Sequence, residues 1–168
     1  GRDVKDLLPY AGSPREITEM SEHEKYAWAS LAASVLVWAF FAMRMTEGGL
    51  VAEVSARQML WTYTATVVLM AVSHSIIAAV LAVRLPGIGL KDERDLAIES
   101  RADRIEGYVL AIAINALIIQ ALADAAFAGH SMPRVDLGSL PTLMFALLTT
   151  LFVGHVVKQA VTIWSYRT

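Results

Sequence analysis

The sequence contains no cysteine, which excludes disulfides, thiolate metal ligation and thiol catalysis. Charge is scarce: 18 % of 168 residues are ionisable Asp, Glu, Lys or Arg, and 14 bases against 16 acids leave a formal net charge of -2. The arginines are interleaved with acids, so the chain has no basic patch of the kind that binds nucleic acid. There is no H-E-x-x-H, and carboxylates do not cluster with the histidines, so two-histidine zinc chemistry is unsupported and no metal site is assigned beyond the haem alternative below. Gly48-Gly49 and Gly87-Ile88-Gly89 do not make a phosphate-cradling loop. A nucleophilic serine needs a positioned base and an oxyanion hole, and neither is legible. No catalytic residue is assigned, and a non-catalytic role is the expectation.

What the chain has in abundance is apolar sequence. Hydrophobic residues make up 56 %, above the usual share for soluble domains, and they fall into four blocks with the charges between them. The blocks run over 26–43, 59–83, 107–127 and 140–163. Each is close to the ~20 residues that cross ~30 Å of hydrocarbon as a helix. Stretches such as Val67 to Ala71 are apolar all round, where a soluble bundle would show a polar stripe. The pattern predicts an all-α membrane protein, a four-helix transmembrane bundle over 26–168, in contact with the lipid bilayer. Residues 84–106 form a charged linker between the second and third spans. Residues 1–25 precede the first span and carry two capping boxes, Ser13-Pro14-Arg15-Glu16 and Ser21-Glu22-His23-Glu24, which predict a short amphipathic surface helix.

Orientation follows from the bases. Arg2, Lys5, Arg15 and Lys25 precede the first span, and Arg84, Lys91, Arg94, Arg101 and Arg104 fill the central linker. The other loops hold only Arg44 with Arg57, and Arg134. Both termini and the linker are therefore expected on the cytoplasmic side. Trp28, Trp38, Trp61, Trp164 and Tyr166 are placed as interfacial anchors.

The second half of the chain resembles a weak copy of the first. An offset of 81 positions sets His74 over His155, Val72 over Val153, Ala79 over Ala160 and Ser34 over Asn115. Two hairpins that both start from one side would be parallel repeats. Ser34, His74, Asn115 and His155 also lie at similar depth, roughly 12–14 Å inside the cytoplasmic boundary at 1.5 Å per residue. They are expected to form an intramembrane polar layer, with Lys158 one turn nearer the cytoplasm. The layer admits three readings: interhelical hydrogen bonding that holds the bundle together, a proton path, or a b-type haem with His74 and His155 as axial ligands to its iron. Above the layer, Tyr63, Thr64, Thr66, Thr149 and Thr150 are the residues that would continue a polar path.

On a helical wheel the linker separates into stripes. Asp92, Asp95, Glu99, Asp103 and Glu106 form one, Ile98, Ala102, Ile105 and Val109 the next, and Arg94, Arg101 and Arg104 the far flank. Only Lys91 and Asp95 pair at i,i+4, so these charges need partners elsewhere. Two placements follow. In one, Arg94, Asp95, Glu99, Arg101, Asp103 and Arg104 form a docking surface for another membrane protein or a second copy. In the other, the linker folds on its own N-terminal segment, with Glu16, Glu19, Glu22 and Glu24 facing the arginines.

Ser21-Glu22-His23-Glu24-Lys25-Tyr26-Ala27-Trp28-Ala29-Ser30-Leu31 before span one resembles a widespread group of small bacterial inner-membrane proteins with four spans. So do Asp92-Glu93-Arg94-Asp95, Ala102 and Tyr108 entering span three, and the ending Trp164-Ser165-Tyr166-Arg167. The resemblance covers residues 20–168; it implies a bacterial, multi-pass inner-membrane protein and supplies neither reaction nor ligand. The expectation is thus an accessory or interaction subunit without cofactor. A b-type haem redox subunit and a small proton-coupled transporter or channel are the alternatives.

Overall fold

The computed structural model describes residues 21–84, 92–126 and 137–168, the side chains of residues 124 and 125 excepted. Four helices carry the fold: α1 (Glu22–Thr46), α2 (Ala56–Arg84), α3 (Glu93–Ala126) and α4 (Leu140–Arg167). A single 3-10 turn, Val51–Glu53, lies in the first hairpin, and the described residues contain no strand. Each helix is long and apolar enough to cross a membrane. The chain is an all-α, multi-pass membrane bundle, as its composition requires.

Each visible helix start has a local cause. The Ser21 hydroxyl accepts the Glu24 N–H at 3.0 Å, so the second capping box begins α1 itself and not a separate surface helix. The first box, at Ser13, lies outside the described residues. At α3, Asp92 and Asp95 cap each other: the Asp95 N–H donates to Asp92 Oδ1 at 2.7 Å and the Asp92 N–H to Asp95 Oδ2 at 3.2 Å. Because nothing interrupts the chain after this cap, the charged residues from Glu93 onward are the first turns of the spanning helix. The expected border between linker and span at 106–107 is therefore not a structural break.

α1 is the spine. It packs on α2 and on α4, and α4 packs on α3, whereas α2 and α3 make little contact with each other. The buried stripe of α1 is Glu24, Ala27, Ser30, Ser34, Val37, Phe41 and Met45, spaced at three and four residues. Small residues at its start let neighbours approach. Large ones further on fill space, where Phe41 stacks on Phe145 of α4 with ring centroids 5.5 Å apart. Trp38, expected as an interfacial anchor, instead points its indole N–H at Thr149 Oγ1 of α4 at 3.4 Å. Trp61 and Trp164 are exposed, as anchors would be.

Lipid is as apolar as leucine, so these contacts are held by van der Waals fit and hydrogen bonds and not by a hydrophobic driving force. The α3–α4 contact shows the fit. A Cβ on Gly154 would lie 2.7 Å from Leu110 Cδ2 and 3.0 Å from its Cγ, so the glycine lets α4 close on α3. Around Gly107 there is open space. Gly154→Val is expected to lower stability in detergent by roughly 1–3 kcal/mol through overpacking. Gly107→Ala, within the same helix pair, should be neutral or slightly stabilising. Equal losses in the two variants, measured by thermal unfolding, would contradict this packing.

Candidate binding site at one end of the bundle

The start of α1, the end of α2, the start of α3 and the end of α4 meet at one end of the bundle. They enclose an open cavity of about 550 Å³. Each helix contributes polar side chains to it: Ser30 and His23 from α1, His74 from α2, Asp95 and Glu99 from α3, and His155, Lys158 and Gln159 from α4.

At its floor three residues from three helices converge on one hydroxyl. Ser30 Oγ lies 2.9 Å from His74 Nε2 and 3.3 Å from His155 Nε2. The two imidazoles meet edge to face, centroids 5.5 Å apart. The proton positions follow from the partners. His74 Nδ1 is 3.0 Å from the Met70 carbonyl, which can only accept, so Nδ1 bears the hydrogen and Nε2 accepts from Ser30. The Gln159 amide nitrogen, 3.3 Å from His155 Nε2, donates to that nitrogen. Both Nε2 atoms are then acceptors, His74 Nε2 taking the Ser30 proton and His155 Nε2 the Gln159 N–H.

The mouth is a second network. Asp95 accepts the Tyr166 hydroxyl at 2.6 Å and meets His23 Nε2 at 3.2 Å, which ties α3 to α4 and to α1. Lys158 lies 2.5 Å from Asp103 and 3.7 Å from Glu106. Arg167 donates to the buried Glu24 carboxylate at 2.8 Å and sits 5.6 Å from the Trp28 ring centroid. The acids of the α3 stripe thus find partners within the chain. Glu24, expected opposite the α3 arginines, pairs instead with the end of α4.

The expected polar layer is rearranged. His74 and His155 come together, and Lys158 lines the same cavity. Ser34 is buried one turn beyond, its hydroxyl donating to the Ser30 carbonyl at 2.8 Å. Asn115 does not join: it is exposed, and its amide donates to the Ala111 carbonyl of its own helix at 2.8 Å. Equal depth had placed it, but rotation removes it, since Asn115 stands roughly 200° round the helix from the half-buried Ala113. The proposed docking set divides as well. Arg94, Arg101 and Arg104 are exposed, while Asp95 and Asp103 are engaged inward and Glu99 lines the cavity. The polar path is not assembled either. Tyr63 and Thr64 are exposed, Thr66 and Thr150 bond to their own helices, and Thr149 receives Trp38.

A b-type haem does not fit this arrangement. Bis-imidazole ligation needs a flat macrocycle between the two rings, and here the space between them is taken by Ser30 on the central helix α1. Among the described residues no group of three or more His, Asp or Glu side chains is placed to hold a metal ion.

Ser30, Gln159 and His23 were not expected at the site from sequence, and Tyr166, expected as an interfacial anchor, bonds to Asp95 at the mouth. Ser30 had a signal: it precedes Ser34 by one turn and shares the small-residue face with Ala27. No family model, no curated protein and no solved structure matches the chain.

Ser30→Ala should destabilise the bundle by roughly 1–2 kcal/mol, since it leaves His74 Nε2 without its donor and removes the hydroxyl beside His155. Ser34→Ala and Asn115→Ala remove only bonds to their own helices and should each cost less than about 0.5 kcal/mol. A Ser30–His74 double-mutant cycle without coupling would contradict the convergence on Ser30.

Proposed function

We propose that the protein is a non-catalytic membrane subunit that binds a small molecule in the cavity between the four helix ends. The observation that carries this reading is the cavity itself. Its volume of about 550 Å³ falls in the range of small-molecule sites, and side chains of all four helices converge on it. A bundle that needed polar residues only for cohesion would close over them. The distribution of Lys and Arg supports an orientation with this end, both termini and the start of α3 at the cytoplasmic face. The resemblance of the Glu22–Leu31 and Asp92–Asp95 segments supports a bacterial inner membrane.

A second reading concerns a protein partner. Arg94, Arg101 and Arg104 lie seven and three residues apart, which puts them along one helical face, and all three are exposed. An acidic partner or a second copy would dock there without disturbing the inward-turned acids. Replacing the three with Glu should abolish co-purification of that partner or shift the oligomer on a native gel. Unchanged assembly would remove the docking reading.

The binding reading is tested by filling the cavity. Ala78 lines its α2 wall. Protein purified in mild detergent should carry small molecules, detected by mass spectrometry, that Ala78→Trp loses while its helical circular dichroism is retained. Identical sets in the two proteins would overturn the reading.

A further inference from the structure

α3 turns one face to α4 and leaves another uncovered. Leu110 marks the packed side, where it meets Gly154. At 100° per residue, Arg94, Arg101, Arg104, Tyr108 and Asn115 fall within an arc of about 80° on the other side, and all five are exposed. Ile112 and Ile119 belong to the same stripe and are exposed as well.

The stripe is polar at two levels. The arginines form the first, and they make no ion pair with any acid among the described residues. Asn115 forms the second. It stands eleven residues beyond Arg104. That is about 16 Å along the axis at 1.5 Å per residue, near the middle of ~30 Å of hydrocarbon. One hydrogen of its amide goes to the Ala111 carbonyl. The other hydrogen and the side-chain oxygen have no partner among the described residues. Acyl chains neither donate nor accept, and polar side chains at this depth normally face protein.

The two levels together select the occupant. A phospholipid answers only the first: its phosphate matches the arginines, but its chains offer Asn115 nothing. A second copy answers only the second. The stripe set against itself across a twofold axis would bring arginines toward arginines. Between Arg94 and Arg104 it holds no acid to separate them, and Asp95 and Asp103 are turned inward. A helix of another membrane protein answers both, if it is acidic where it leaves the membrane and carries a hydrogen-bonding side chain about 16 Å deeper.

We infer that the outward face of α3 seats a membrane-spanning helix of a different protein, with carboxylates against Arg94, Arg101 and Arg104 and an amide or hydroxyl against Asn115. This rests on the docking reading above and deepens it: the partner lies in the bilayer, not only in the water beside it. The charges steer the helix to the stripe, and the hydrogen bond at depth fixes its register.

The chain has no cysteine, so Thr168→Cys at the exposed end of α4 gives a single site for a donor dye. The labelled full chain is placed in phosphatidylcholine vesicles with synthetic leucine-alanine peptides of about 20 residues, long enough to span, that carry an acceptor dye. The test peptide has glutamates at one end and an asparagine at the depth of Asn115. It should reach half-maximal energy transfer at about tenfold lower content than a form with leucine for asparagine, or with lysine for glutamate. Asn115→Leu should remove the advantage of the asparagine peptide and leave the leucine form unchanged. Arg94→Glu, Arg101→Glu and Arg104→Glu together should reverse the preference between the glutamate and lysine forms. The peptide comparison holds even if that triple variant fails to fold.

If the arginines matter and Asn115→Leu changes nothing, the membrane helix is overturned and the docking reading stands. Equal transfer to a soluble glutamate-rich peptide without the apolar segment has the same meaning. Transfer between donor- and acceptor-labelled copies of the chain, lost in Asn115→Leu, would replace the different protein with a second copy. Loss of all peptide transfer on adding phosphatidylglycerol would give the arginines to lipid and overturn the inference. If charge reversal alters the binding of no peptide, the inference and the docking reading fail together.

Discussion

One hydroxyl group lies within hydrogen-bond reach of two imidazoles on two other helices, and much of the bundle is arranged around it. Ser30 can reach both His74 and His155 only because α1 lies between α2 and α4 and presents a small residue at that level. Ala27 before it and Ser34 after it keep the same face narrow. A larger residue in the stripe would push one neighbour away and leave an imidazole in the membrane without its partner, which is costly where water cannot replace it. Further along α1 the requirement reverses. There Val37, Phe41 and Met45 fill the interface, and Phe41 and Phe145 fix the distance between α1 and α4 by stacking. The helix is therefore graded, small at the polar end and large at the apolar end, and the cavity lies where it is small.

The acids of α3 are best understood with that grading. A helix that begins with Glu93, Asp95, Glu99, Asp103 and Glu106 and continues into apolar sequence carries strong charge close to the membrane. Its acidic stripe turns toward α1 and α4, where His23, Tyr166 and Lys158 take up Asp95, Asp103 and Glu106. Its arginines turn out. This sorting keeps the electronegative side toward the cavity and the basic side toward whatever lies beyond the bundle. Arg167 adds a clamp at the chain's end, with Glu24 and Trp28 as its partners, so that the last turn of α4 is tied to the first of α1.

The spans were legible because hydrocarbon thickness and composition leave few alternatives: four apolar blocks of the right length must be four helices. Their ends were less so. Charge suggested a linker up to residue 106, yet the Asp92–Asp95 cap starts one unbroken helix, since helix propagation depends on backbone caps and breakers more than on polarity. Within the site, depth was readable and azimuth was not. His74, His155 and Lys158 were found by depth and spacing, and Asn115 was included by the same reasoning although it faces away. Ser30 was passed over because Ser34 matched the 81-residue offset and Ser30 did not. Partners across helices, such as Asp95 with Tyr166 across 71 residues of sequence, leave no local pattern at all.

The lack of packing between α2 and α3 also has a physical logic. In water, a cleft between two apolar helices would close, because burying its walls releases free energy in proportion to area. In a bilayer that term vanishes, and the walls are as well solvated by chains as by each other. Helices there associate only where side chains fit or hydrogen bonds form. α1 and α4 supply both, through Ser30, Gly154 and the Phe41–Phe145 stack, while α2 packs on α1 and α3 on α4.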